Sequence, residues 1–125
     1  MDNIFKNDSK TPIKGHESFE TLLDNSQIKI EKILSNELLE GEWYEQNSGE
    51  WVVLLCGSAV LEFEDHTQEL GCGDYLYIPK LKKHRVLKTS NDAMWLALHL
   101  KPHRPESTDI IIAEAQSVKG LTNSK

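Results

Sequence analysis

The chain has 125 residues, with 14 Lys+Arg against 20 Asp+Glu and a formal charge of −6. That length suits one domain able to build a core without disulfide or metal staples. The acidic balance excludes a sequence-independent grip on nucleic acid or on an anionic membrane. No apolar run approaches the roughly 20 residues that a membrane-spanning helix needs. The opening segment, MDNIFKNDSKTPIKG, also lacks the apolar stretch of a secretory signal. A soluble, cytoplasmic, single-domain protein is the expectation, in which Cys56 and Cys72 stay reduced as small buried apolar residues.

Residues 1–27 are polar and read as an N-terminal arm, with a short helical turn over 18–23 (SFETLL) ending at Asp24-Asn25-Ser26. From Ile28, apolar Ile28, Ile30, Ile33 and Leu34 are interleaved with Lys29, Glu31 and Lys32, which predicts one or two edge strands. Residues 51–56 (WVVLLC) form a β-prone apolar run stopped by Gly57, too short for a buried helix and suited to a covered strand. Residues 60–64 (VLEFE) alternate apolar and acidic, as a strand with one wet face does, and the polar break DHTQ closes a hairpin.

A turn at Gly71-Cys72-Gly73-Asp74 precedes a strand over 75–78, which Pro79 ends because it cannot donate a ladder hydrogen bond. Lys80 to Lys83 form a basic loop before a strand over 84–88. Asn91-Asp92 mark another turn, and a last strand runs over 94–100 (MWLALHL). Gly57 and Gly73 stand where a tight reversal calls for positive φ. Short strands with turns every 8 to 12 residues and no helix between them predict an all-β antiparallel sandwich or barrel. The barrel spans 28–101. In the C-terminal tail, 102–125, Ile110 to Ile112 favour a strand and residues 113–116 a helix, and the sequence leaves that choice open.

Two segments in this stretch resemble the cupin superfamily. The family's first motif is G(X)5HXH(X)3,4E(X)6G, and here Glu50, six residues and Gly57 match its second half. The second motif is G(X)5PXG(X)2H(X)3N. Gly73, Pro79 and His84 fall in its register, with Leu81 in place of the second glycine and Lys88 in place of the asparagine. The match covers about half the chain. It implies an antiparallel double-stranded β-helix, or jelly-roll barrel, with short arms at either end.

In metal-binding cupins the two histidines and the glutamate of the first motif, with the histidine of the second, hold one divalent ion. Those positions here carry Tyr44, Gln46, Glu50 and His84, so both histidines of the first motif are replaced. A phenol and an amide are weaker ligands than imidazole. His99 shares a strand face with Trp95 and Ala97 by period two. If that face points inward, Glu50, His84 and His99 form a two-histidine, one-carboxylate set for zinc, iron, manganese or nickel. As alternatives, His99 is a hydrogen-bonded histidine at a strand end, and Glu50 an exposed carboxylate leading into a strand.

Tyr44, Gln46 and Trp95 are expected to line the same pocket. Lys80 to Arg85, a basic island, could steer an anionic ligand towards it. His16, His66 and His103 fall in loops or arms. If a metal is present, the resemblance implies dioxygenase, isomerase or lyase chemistry on a small polar or anionic molecule. Otherwise the chain is a metal-free binding module, or a scaffold for a homodimer, with a small-molecule ligand and neither nucleic acid nor membrane as partner.

Overall fold

Residues 1–6 and 11–102 are described by the computed structural model. His103 and the tail segment of open character lie outside them. Eight strands follow one another in the chain: β1 (His16–Asp24), β2 (Ile28–Asn36), β3 (Gly49–Cys56), β4 (Ala59–Phe63), β5 (Thr67–Leu70), β6 (Tyr75–Ile78), β7 (His84–Thr89) and β8 (Ala93–Leu100). They make a five-stranded sheet in the order β1-β2-β8-β3-β6 and a three-stranded sheet in the order β5-β4-β7. After β3 the chain crosses to the small sheet for β4 and β5, returns for β6, crosses again for β7 and returns for β8. That wrapping closes a jelly-roll barrel and leaves fewer sheet edges unpaired. Among the described residues no helix is long and apolar enough to cross a membrane.

Period-two alternation decides what fills the barrel. Val52 and Leu54 of β3, Ile78 of β6 and Ala93, Trp95 and Ala97 of β8 pack against Ala59, Leu61 and Phe63 of β4 and Leu70 of β5. A fully buried Leu or Phe in this set contributes roughly 1.5–3 kcal/mol relative to an exposed one. Gly57 and Gly73 have φ of +83° and +92°, as the turns require. A Cβ at Gly57 would press on the Ser90 hydroxyl and lie 3.0 Å from Ala93 Cα.

Four local expectations change. Residues 18–23 are not helical but belong to β1, which pairs with β2 from His16↔Asn36 to Asp24↔Lys29 through a bulge between Thr21 and Leu23. The helical pattern of SFETLL loses because β2 offers a full ladder of partners. β2 is therefore an interior strand, held on its other side by β8, and β1 is the edge. β5 is hard to see in TQEL, whose first three residues are exposed; pairing with β4 makes it a strand. Cys72 is exposed rather than buried, its thiol donating to the Leu55 carbonyl at 2.9 Å. Both cysteines are free thiols.

Candidate functional site

The inner face of the large sheet and β7 of the small one leave a cavity of about 190 Å³ between them. All six residues expected at the site line it: Glu50, His84, His99, Tyr44, Gln46 and Trp95. The rest of the wall is mainly Phe19, Ile33, Val52, Leu61, Ile78 and Val86, together with Glu17 and Glu31. Phe19 and Tyr44 are the lining residues most exposed to solvent. The inward face of β8 is thereby settled: His99 lies opposite Glu50 in the β3–β8 ladder, two residues beyond the buried Ala97.

His84 is positioned from both sides. Its backbone exchanges hydrogen bonds with Tyr44, with N–H to O distances of 2.7 and 3.0 Å, and its Nδ1 donates to the Lys82 carbonyl at 2.8 Å. Nε2 is then the nitrogen that faces Glu50, at 3.7 Å from Oε1. Both side chains are nearly enclosed. Burial works against an imidazolium here, but the Glu50 carboxylate and the Lys82 carbonyl outweigh it and hold the His84 pKa above its ordinary value.

The loop that carries Lys82 is shaped by Leu81, which takes a left-handed φ of 65° and donates its N–H to the Gln46 carbonyl at 2.7 Å. Leu81 stands where the family motif has glycine, so the backbone shape is kept although the residue that adopts it easily is gone.

The second histidine has its own carboxylate. His99 Nε2 donates to Glu31 Oε1 at 2.9 Å, and Lys29 Nζ lies 3.5 Å from the other oxygen of Glu31. Glu17 is held more loosely: Trp95 Nε1 donates to Ser35 Oγ at 3.3 Å, and that hydroxyl donates to Glu17 Oε2 at 3.4 Å. Burial pushes the Glu17 carboxyl up, with Glu42 adding and Ser35 opposing. Burial likewise raises Tyr44, helped by the surrounding carboxylates, so its phenol stays protonated at neutral pH. Glu17, Glu31 and Ser35 were missed in the sequence. Their signal lay in the alternation Glu17-Phe19 and Glu31-Ile33-Ser35, which becomes legible only once β1 and β2 are known to pair in the barrel wall.

None of the lysines and arginine of the basic island lines the cavity. Lys83 and Arg85 lie over the Trp43 ring, Arg85 Nε also donates to Glu62 Oε1 at 2.7 Å, and Lys82 sits over Phe63 beside Asp65. Among Trp43, Trp51, Trp95, Tyr75 and Tyr77 only Trp95 belongs to the buried core; Trp43 and Tyr75 are exposed, and Tyr75 packs against Trp51. His16 is exposed at the start of β1, and His66 stacks on Phe63 in the β4–β5 turn.

A divalent ion of the family type needs three or four strong donors converging on one point. Glu50 and His84 converge. Tyr44 and Gln46 replace two imidazoles, and His99 Nε2 is engaged by Glu31. Among the described residues no group of three His, Cys, Asp or Glu side chains is disposed to hold a metal ion. The donor set as arranged does not fit the group.

No family model matches the chain, and no curated protein matches it. Solved structures do. A protein of Ralstonia eutropha JMP134 described as a candidate mannose-6-phosphate isomerase is 33% identical, with 82% of this chain and 98% of that one covered and a TM-score of 0.72. A cupin superfamily protein of Desulfitobacterium hafniense DCB-2 is 20% identical over 73% of this chain and 83% of its own, with a TM-score of 0.64. An RmlC-like cupin of Shewanella frigidimarina NCIMB 400 is 15% identical over 74% and 83%, also at 0.64. With both motif fragments in register on a closed jelly roll, and a relative one-third identical over nearly its whole length, this chain belongs to the cupin superfamily.

Proposed function

We propose that this cupin binds a small polar molecule in its barrel without a metal ion, using carboxylate–imidazole pairs where metal-binding relatives use ligands. One observation carries the reading: each histidine that lines the cavity is matched to its own glutamate, His84 to Glu50 and His99 to Glu31. With Nδ1 of His84 spent on a carbonyl, an imidazolium whose Nε2 faces the Glu50 carboxylate is the arrangement that leaves neither group as an unmatched buried charge. Such a pair can give a proton to a bound oxygen or nitrogen, or take one from it. The apolar wall excludes water from the ligand's body, while Tyr44 and Gln46 orient its polar atoms.

The experiment is elemental analysis of tag-free protein before and after incubation with zinc, iron, manganese and nickel salts, alongside His84→Gln. Substoichiometric metal throughout, with melting temperatures insensitive to the salts and to chelator, is expected. Near-stoichiometric metal that His84→Gln abolishes overturns the reading.

A further inference from the structure

Resting on that reading of the cavity, the geometry points to its ligand class: we propose a small molecule carrying a primary ammonium, with that ammonium received by Glu17 and further donor groups received by Gln46. The side chains that line the cavity include Glu17, Glu31 and Glu50 but neither Lys nor Arg. Glu50 faces His84, and Glu31 is bonded to His99 and lies beside Lys29. Glu17 is different. Its described partner is the neutral Ser35 hydroxyl at a long 3.4 Å, and among the described residues no cationic side chain pairs with it.

A second feature is independent of charge. Gln46 Oε1 lines the same cavity, is buried from solvent, and has no hydrogen-bond partner among the described residues. A buried acceptor without a donor costs about 1–3 kcal/mol, and a ligand N–H or O–H recovers it. Both Glu17 and Gln46 Oε1 are acceptors, so both positions ask for donors. A phosphate or carboxylate group would bring a further anion beside Glu17 and could not itself donate to Gln46. The Lys80–Arg85 island does not compensate, because Lys82, Lys83 and Arg85 are engaged by Asp65, Trp43 and Glu62 and none of its lysines or its arginine lines the cavity. The aromatic and apolar walls, Trp95 and Phe19 with Ile33 and Val86, suit a short carbon skeleton between the two polar ends. The cavity is smaller than the few hundred Å³ of a drug-sized pocket, so the molecule is compact.

The test is calorimetry and thermal-shift titration of tag-free protein with matched probes: glucosamine, ethanolamine and putrescine; their uncharged counterparts glucose, ethylene glycol and butanediol; and mannose 6-phosphate and glycolate as anions. At least one amine is expected to stabilise saturably and to bind at least tenfold more tightly than its uncharged counterpart, with the anions without effect. Glu17→Gln, which keeps the side chain's shape, is expected to weaken amine binding at least tenfold while the apo protein keeps its melting temperature or gains. Glucose or an anion binding as tightly as its amine counterpart overturns this inference but leaves a metal-free pocket standing. So does amine binding untouched by Glu17→Gln, or no amine binding at all. Stoichiometric metal in the purified protein defeats the pocket reading itself, whatever the probes do.

Discussion

Replacing Glu50 and His84 by glutamine, singly and together, measures how strongly the two act as an ion pair. At the observed 3.7 Å, Coulomb attraction at an effective dielectric near 20 is about 4.5 kcal/mol. Much of that is offset by taking both groups out of water. A net coupling of about 1–2 kcal/mol remains, inside the roughly 0.5–3 kcal/mol found for contacting residues. The pH sign follows from His84, whose folded pKa is raised above the unfolded 6.5. Its contribution is fully present below the unfolded value and is lost as pH rises through the folded one. Urea denaturation of the four proteins at about pH 6 and pH 8.5 should therefore show coupling that is larger at the lower pH. In Glu50→Gln the carboxylate that opposed burial is gone, so burial outweighs the Lys82 carbonyl. The neutral imidazole is then favoured, and the slope near neutrality reverses, stability falling on acidification. Coupling absent at both pH values, or a Glu50→Gln variant with the wild-type slope, would refute the pairing and with it the argument for a metal-free pocket.

Leu81→Gly relieves a left-handed φ that costs a non-glycine residue roughly 1–2 kcal/mol and adds roughly 0.5–1 kcal/mol of backbone entropy loss. A net gain of about 0.5 kcal/mol in urea denaturation is expected, and a loss above 1 kcal/mol would mean that the exposed side chain packs in solution. Trp95→Ala empties the middle of the core and breaks the indole hydrogen bond to Ser35, at a cost of about 3–5 kcal/mol; a cost under 1 kcal/mol would contradict its placement. Glu17, an acid whose folded pKa is raised by burial, makes the protein less stable as pH climbs from its unfolded 4.5 through the folded value. Glu17→Gln should remove that decline and match or exceed wild type in melting temperature at pH 7. A lower melting temperature there contradicts the burial argument.

What the sequence made legible tracks what is local. The strands β3, β4, β6 and β8 announce themselves by apolar alternation bounded by glycine and proline, and Gly57 and Gly73 mark turns whose φ is positive. β1 and β5 were hidden because neither has an apolar face that stands out alone; each is a strand by virtue of its neighbour. The site divides in the same way. Glu50, His84, Tyr44 and Gln46 sit on motif positions, and His99 and Trp95 on a period-two face, so all could be named. Which acid answers which imidazole depends on the β2–β8 ladder, where Glu31 sits opposite Ala97, one step along the same face from His99. No spacing in the chain encodes that contact. The basic island misled for a related reason: composition shows that charges are near a histidine, but only the fold shows which way they turn.

The substitutions at the motif positions form one electrostatic argument. A divalent ion inside a barrel neutralises the carboxylate that binds it and draws on neutral imidazoles for the remaining ligands. Where two of those imidazoles become Tyr44 and Gln46, a buried glutamate must find another source of positive charge or take up a proton. Glu50 finds it in His84, and Glu31 in Lys29, while His99 meets Glu31 with a hydrogen bond. Glu17 finds only a hydroxyl, and burial raises its pKa accordingly. The position whose charge the protein leaves unmatched thus lines the same cavity as an orphaned amide oxygen, where a ligand can supply what the fold withholds. On this account Glu17→Gln and a bound ammonium are two ways of relieving the same buried charge. Each should stabilise the protein near neutral pH, and the two gains should not add.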